Sequence, residues 1–356
     1  MSAFIAGIVL LSFLLSRPIL HRSSVDPERM DSGTSTLATR SPAAKESDAK
    51  PVCDRLYELV CTKHGATRDP SGSVQPGAYG EIEALHIYED IIGTHADWSL
   101  DQVDEELARQ IYTPKRVNRI QFAHRTVLHA IDTILDHESK SSFTAHEKKI
   151  LKKRLHATEL QLPPPASNYQ DEPDLFTKND VFYERTSDGK MRMRVGGAYL
   201  LSAKSWFNLI FTIAHELGHS IDPCEVRAEG LAFPAYDRLS ACFVHHNLVA
   251  MRKDRTECGN NDQLSETFAD WLAVQVTAEV LKNFATEFKG QQILNAVVNS
   301  VRDLCDDEFE EADMEFHPSP QVRIDRIFGK NPAIRELLGC GVPESGRKYC
   351  GFDSTF

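Results

Sequence analysis

The sequence has no C-x-x-C pair, no N-x-S/T sequon and no excess of basic residues, and each absence removes a class of protein. Without C-x-x-C, the eight cysteines do not read as zinc ribbons or a thioredoxin-type redox pair. An even count suits a disulfide framework if the chain is exported. With 40 basic against 52 acidic side chains the net charge is −12, so a phosphate backbone meets a repulsive field and nucleic acid is set aside as a partner. No fixed-period repeat appears, which excludes solenoids and propellers. What remains is 356 residues, 41% hydrophobic and 26% charged, enough to bury one large core or two modest ones.

Export is suggested at the start of the chain. Ala3 to Leu15 reads AFIAGIVLLSFLL without a charge, and Pro18-Ile19-Leu20 follows Ser16-Arg17. The uncharged run, at about 1.5 Å per residue, falls short of a hydrocarbon core of about 30 Å, and adding Ile19 and Leu20 nearly reaches it. Residues 1–20 are expected to be a signal sequence or a membrane anchor, with cleavage and attachment through residues 3–20 both open. Either places the protein outside the cytoplasm, secreted or anchored. Residues 21–50 are rich in Ser, Thr, Pro, Ala and charge; they cannot repay the entropy of folding and are expected to be a disordered linker. The folded body is expected over 51–356, with a helical N-terminal part over 51–165 and a catalytic part over 166–356.

Between residues 81 and 162, apolar positions recur at three and four, as in EIEALHIYEDIIG and RVNRIQFAHRTVLHAIDTILDHE, which predicts amphipathic helices broken at Pro114 and at Ser139 to Ser142. His86, His124, His129, His137, His146 and His156 lie among polar helix positions without acidic partners at ligand spacing, and they read as structural. After the Asp188-Gly189 turn, Met191, Met193 and Val195 alternate with Arg192 and Arg194. That pattern predicts an edge strand with one wet side, able to pair with an extended peptide.

Phe207 to Asp222, FNLIFTIAHELGHSID, carries H-E-x-x-H on an apolar helix. His215 and His219 stand one turn apart on one face, so two imidazoles can grip one divalent ion. Glu216, a step around the helix, is placed to take a proton from an activated water. A tetrahedral site needs a third protein ligand, and Glu266 in LSETFADWLAVQV is expected to supply it. Asp270, one turn further on the same face, is expected to hold the outer nitrogen of a ligand histidine. The metzincin pattern is excluded, because it requires a histidine at position 225 and that residue is Glu.

HELGHSID followed by SETFAD resembles the gluzincins, and more narrowly the neprilysin-like M13 zinc peptidases. CDRLYELVCTKHG (residues 53–65) is similar to the family's opening C-D-x-x-Y-x-x-x-C segment, and HPSPQVRIDRIFGKNPAIRELLGC (residues 317–340) to its closing one. The resemblance implies that His215, His219 and Glu266 bind one Zn²⁺ per chain, that Glu216 is the general base, and that Asp222 and Asp270 support the ligands. It implies further that His317 stabilises the developing oxyanion and that Arg323 sits beside the substrate. Its disulfides suggest the pairs Cys53–Cys340, Cys61–Cys305 and Cys242–Cys350, leaving Cys224 and Cys258 for each other. The fold it implies is mainly α with a small sheet: a gluzincin-type catalytic domain with an edge strand, added N-terminal helices and disulfide links.

The departures shape the rest of the expectation. Where the family carries Asn-Ala-x-Tyr before the edge strand, this chain has Asp180-Val181-Phe182-Tyr183. An ionised Asp180 only accepts hydrogen bonds, whereas asparagine both donates and accepts; Asn179 could substitute through a local shift. Asp180, Phe182, Tyr183, Met193 and Val195 are the expected substrate contacts, together with Arg323. The chain is much shorter than familiar members, which implies a more open cleft. The expected function is zinc-dependent endopeptidase cleavage of peptides, catalysed by Glu216, His317 and Asp270. The alternatives are a catalytically weak zinc protein that holds peptides, and a peptidase acting on cell-wall peptides.

Overall fold

Among the described residues, the apolar periodicity of the N-terminal part becomes four helices. The computed structural model describes residues 52–62, 76–137, 142–166, 172–202, 204–249, 258, 263–305, 317–341 and 349–352. The expectations for residues 1–20 and 21–50 lie outside these, and none of the helices searched among the described residues is long and apolar enough to cross a membrane. Helix α1 runs Pro76–Thr94, α2 Leu100–Ile111, α3 Pro114–His137 and α4 Ala145–Ala157. The breaks fall where predicted: Pro114 opens α3 at a position where its missing N–H costs nothing. Reciprocal capping boxes start α2 (Ser99 with Gln102) and α4 (Thr144 with Glu147).

A three-stranded sheet follows, β1 Glu159–Gln161, β2 Val181–Arg185 and β3 Met191–Val195, in the order β1-β3-β2. The expected edge strand, β3, is therefore the central one. It pairs parallel with β1 and antiparallel with β2, with Tyr183 opposite Met193. Met193 and Val195 are core residues, 0% and 1% exposed, not substrate contacts. The alternation misled because Arg194 is also buried, ion-paired to Glu172 and Glu184, while Arg192 on the same side is half-buried against Glu184.

Of the two edge strands, β1 and β2, the one beside the candidate site is β2. Gly196 N–H donates to the Asp180 carbonyl and Thr186 N–H to that of Lys190, which fixes 180/196, 182/194, 184/192 and 186/190 as the bonded pairs. Val181, Tyr183 and Arg185 consequently turn their backbone groups away from β3. A short helix α5, Gly197–Leu201, leads to α6, Trp206–His219, then α7, Pro223–Ala228, and α8, Pro234–His245. Helix α9, Gln263–Phe284, α10, Gln291–Val301, a π-helical turn at Val322–Phe328 and α11, Pro332–Leu337, complete the described chain.

The core is centred on α6 against α9, flanked by α3 and α10. The two helices approach so closely at Gly218 that a Cβ there would lie 3.1 Å from Ala269 Cα. Backbone cannot swing aside as a flexible side chain can, so Gly218→Ala should destabilise the protein by about 1–3 kcal/mol in urea denaturation. An unchanged midpoint would show that the helices can part.

All four expected disulfides are present: Cys53–Cys340, Cys61–Cys305, Cys224–Cys258 and Cys242–Cys350, with Cα separations of 6.2, 5.2, 5.2 and 5.7 Å. The first two span 287 and 244 residues and tie the opening segment to the end of the chain. By chain entropy each is worth about 5 kcal/mol as an upper figure.

Candidate metal centre

Helix α6 starts cleanly because Ser205 caps it, its hydroxyl accepting from Asn208 N–H. Nearly all of its residues are buried, which sets His215 and His219 in a low-dielectric wall. Helix α9 brings Glu266 across from them. Nε2 of His215 and Nε2 of His219 are 3.3 Å apart, and Oε2 of Glu266 lies 3.1 Å from the first and 3.6 Å from the second. Three donors each about 2.0–2.1 Å from one tetrahedral ion would stand about 3.3–3.4 Å apart, so the triangle fits Zn²⁺. Glu266 Oε2 is itself buried without an aligned hydrogen bond, a focus of negative charge open to a cation.

The electrostatics agree. Burial alone would push both imidazoles down, but Asp270 and Glu266 drive His215 up to about 10, and Glu266 with Asp222 drives His219 up to about 9. A pocket that holds protons this firmly favours a cation, and protons and metal compete for the same nitrogens. Burial likewise opposes ionisation of Glu266, yet His219, His215 and His317 hold its carboxyl well below the usual range.

Around the donors the supports are unequal. His215 Nδ1 donates to Asp270 Oδ1 at 3.0 Å, and because an ionised carboxylate only accepts, this fixes the ring with Nε2 toward the centre. Arg323 is buried, and its Nε and Nη2 donate to Asp270 Oδ2 and Oδ1 at 2.7 and 2.8 Å. Arg323, expected beside the substrate, directs this fork of two donors to Asp270.

Asp222 caps α7 by accepting from Cys224 and Glu225 N–H, each at 2.7 Å. It reaches His219 chiefly through a residue that sequence reasoning missed. Ser265 Oγ donates to Asp222 Oδ2 at 2.6 Å and accepts from His219 Nδ1 at 3.2 Å, whereas Asp222 itself is 3.6 Å from that nitrogen. The available signal was position: Ser265 directly precedes Glu266 and lies one turn before Asp270's neighbour Ala269. Ser265→Ala should weaken zinc binding by about 10–100-fold in chelator competition, and Ser265→Thr should restore it. Equal affinity in all three proteins would remove Ser265 from the site.

Glu216 faces the remaining side, with Oε1 3.9 Å from His215 Nε2 and Oε2 accepting from Tyr183 N–H at 2.8 Å. Burial raises its carboxyl above the ordinary value, against the pull of His215 and His219. His317 stands beside Glu266, with Nε2 3.0 Å from Glu266 Oε2. Tyr183 is also brought in: its ring lies 6.2 Å from that of His219, and its hydroxyl donates to Glu225, which pairs with Arg154 and Arg185.

Phe182 is not brought in. Its ring lies on the other face of the sheet, beneath Lys178 and Arg194 at 4.7 and 5.4 Å. Asn179 does not take the place of Asp180, since its Oδ1 accepts from Ser202. Asp180 stands next to the site with its side chain exposed to solvent, and burial by the surrounding walls together with Glu216 pushes its carboxyl up to about 7. A second convergence, Cys242, His246 and Cys350, offers no thiolate because its cysteines form a disulfide. Comparison with known protein families and with curated proteins finds no match to this chain.

Proposed function

We propose that the protein is a zinc-dependent peptidase of the neprilysin-like gluzincin kind, acting on peptides outside the cytoplasm. The observation that carries this reading is the convergence of His215 Nε2, His219 Nε2 and the buried Glu266 Oε2, with Glu216 alongside. Zinc held by these three residues would polarise the scissile carbonyl and acidify a water at neutral pH.

The protein's own groups do the rest. Glu216 takes the proton of the attacking water and returns it to the leaving amine, and a carboxyl raised by burial suits both duties. The Tyr183 N–H holds Oε2 of Glu216 against β2, and Oε1 lies on the side of His215 Nε2. His317 donates to the carbonyl oxygen as negative charge develops there. Asp270 orients His215, and Ser265 with Asp222 orients His219; Arg323 acts through Asp270. Cleavage on the amino side of a hydrophobic residue is what the family resemblance implies. Zinc analysis of the dialysed full chain, with His215→Ala beside it, tests the reading. One zinc per chain lost in the variant, with peptide cutting stopped by a chelator, is expected; cutting that survives chelation would overturn it.

A further inference from the structure

Along the free edge of β2 the hydrogen-bond donors nearest the site are already used. Val181 N–H donates to Asp180 Oδ1 and Tyr183 N–H to Glu216 Oε2, both at 2.8 Å. What this stretch of edge turns outward is acceptors: the Val181 and Tyr183 carbonyls and the Asp180 carboxylate. Asp180 is open to solvent, its orientation is pinned through Oδ1, and among the described residues no cation pairs with it. Two positive groups that act on it among the described residues are committed elsewhere. His215 is held by Asp270 and Glu266, and Lys204 Nζ binds Asp303 Oδ2 at 2.5 Å.

An ordinary peptide strand presents carbonyls as well as N–H groups, and its carbonyls would meet only acceptors at Asp180. A cationic nitrogen presents donors alone and is also attracted by the ionised form of Asp180. We infer that Asp180 is a specificity-determining residue that selects peptides bringing a cationic nitrogen to the start of β2. Two sources carry this chemistry, a free amino terminus and a lysine or arginine side chain. The inference rests on the peptidase reading for the position of the cleft, but its test does not depend on turnover.

The experiment uses the zinc-loaded full chain carrying Glu216→Gln, with and without Asp180→Asn, and one decapeptide library in four forms: untreated, acetylated at the amino terminus, acetylated at lysine, and lacking lysine and arginine. Retained peptides are read by mass spectrometry. Peptides with the cation should be retained about tenfold better than their neutral counterparts, and Asp180→Asn should bring the two within about twofold. Loss of the preference on amino-terminal acetylation assigns the free terminus; loss only in the other two forms assigns a side chain. Retention indifferent to charge, a preference equal in both proteins, or no retention of any form would overturn the inference. If selective retention appears while the protein with Glu216 intact cuts nothing, the selectivity stands and the peptidase reading fails.

Discussion

The Glu216→Gln protein is expected to bind one zinc ion as the wild type does and to hydrolyse peptides about 10²–10⁴-fold more slowly, the range for a lost general acid–base group. Glutamine keeps the shape and can still accept from the Tyr183 N–H, so the edge of β2 should stay in place. What is lost is the carboxylate that burial has moved above its ordinary value. Parallel measurements of zinc content and kcat separate the outcomes. Lost zinc would make Glu216 part of the metal cage, and unchanged kcat would exclude it from proton transfer.

Arg323→Ala is the second large effect. The Asp270 carboxylate is almost wholly buried, and burial alone would raise its pKa; Arg323 first, then His215, reverses that and holds it well below the usual range. Removing one partner of a buried pair leaves the other charge uncompensated, at a cost of about 3–5 kcal/mol. Because the folded value is depressed, the pair's contribution is complete above about pH 4 and fades only as pH falls toward the folded value. The variant should therefore unfold at higher pH during acid titration as well as at lower urea. His215 would lose part of its orientation, so zinc affinity should fall too. An arginine that served only the substrate would raise KM and leave stability unchanged.

The residues of the candidate metal centre were legible because each pair depends on one spacing within a single helix. His215 with His219, and Glu266 with Asp270, are set one turn apart, and α6 and α9 deliver them to the same point. The helix boundary at Pro114 was equally local. The cysteine pairs followed from family resemblance, since spacing alone leaves 105 connectivities open.

What escaped depends on contacts between segments. Alternation in Met191 to Val195 reports which side chains share a face; it does not report which strand lies outermost, and Arg194 looks wet until Glu172 and Glu184 are seen against it. Arg323 has no sequence mark distinguishing a substrate contact from a partner for Asp270. Ser265 acquires its role only when α9 places it between His219 and Asp222.

Cleavage of a mixed peptide library by the full chain, analysed by mass spectrometry with and without a zinc chelator and beside Glu216→Gln, tests the central claim most directly. Cutting by the wild type alone, abolished by the chelator and restored by added zinc, is the predicted result. A zinc-bound, disulfide-intact wild type that cuts no peptide would contradict it.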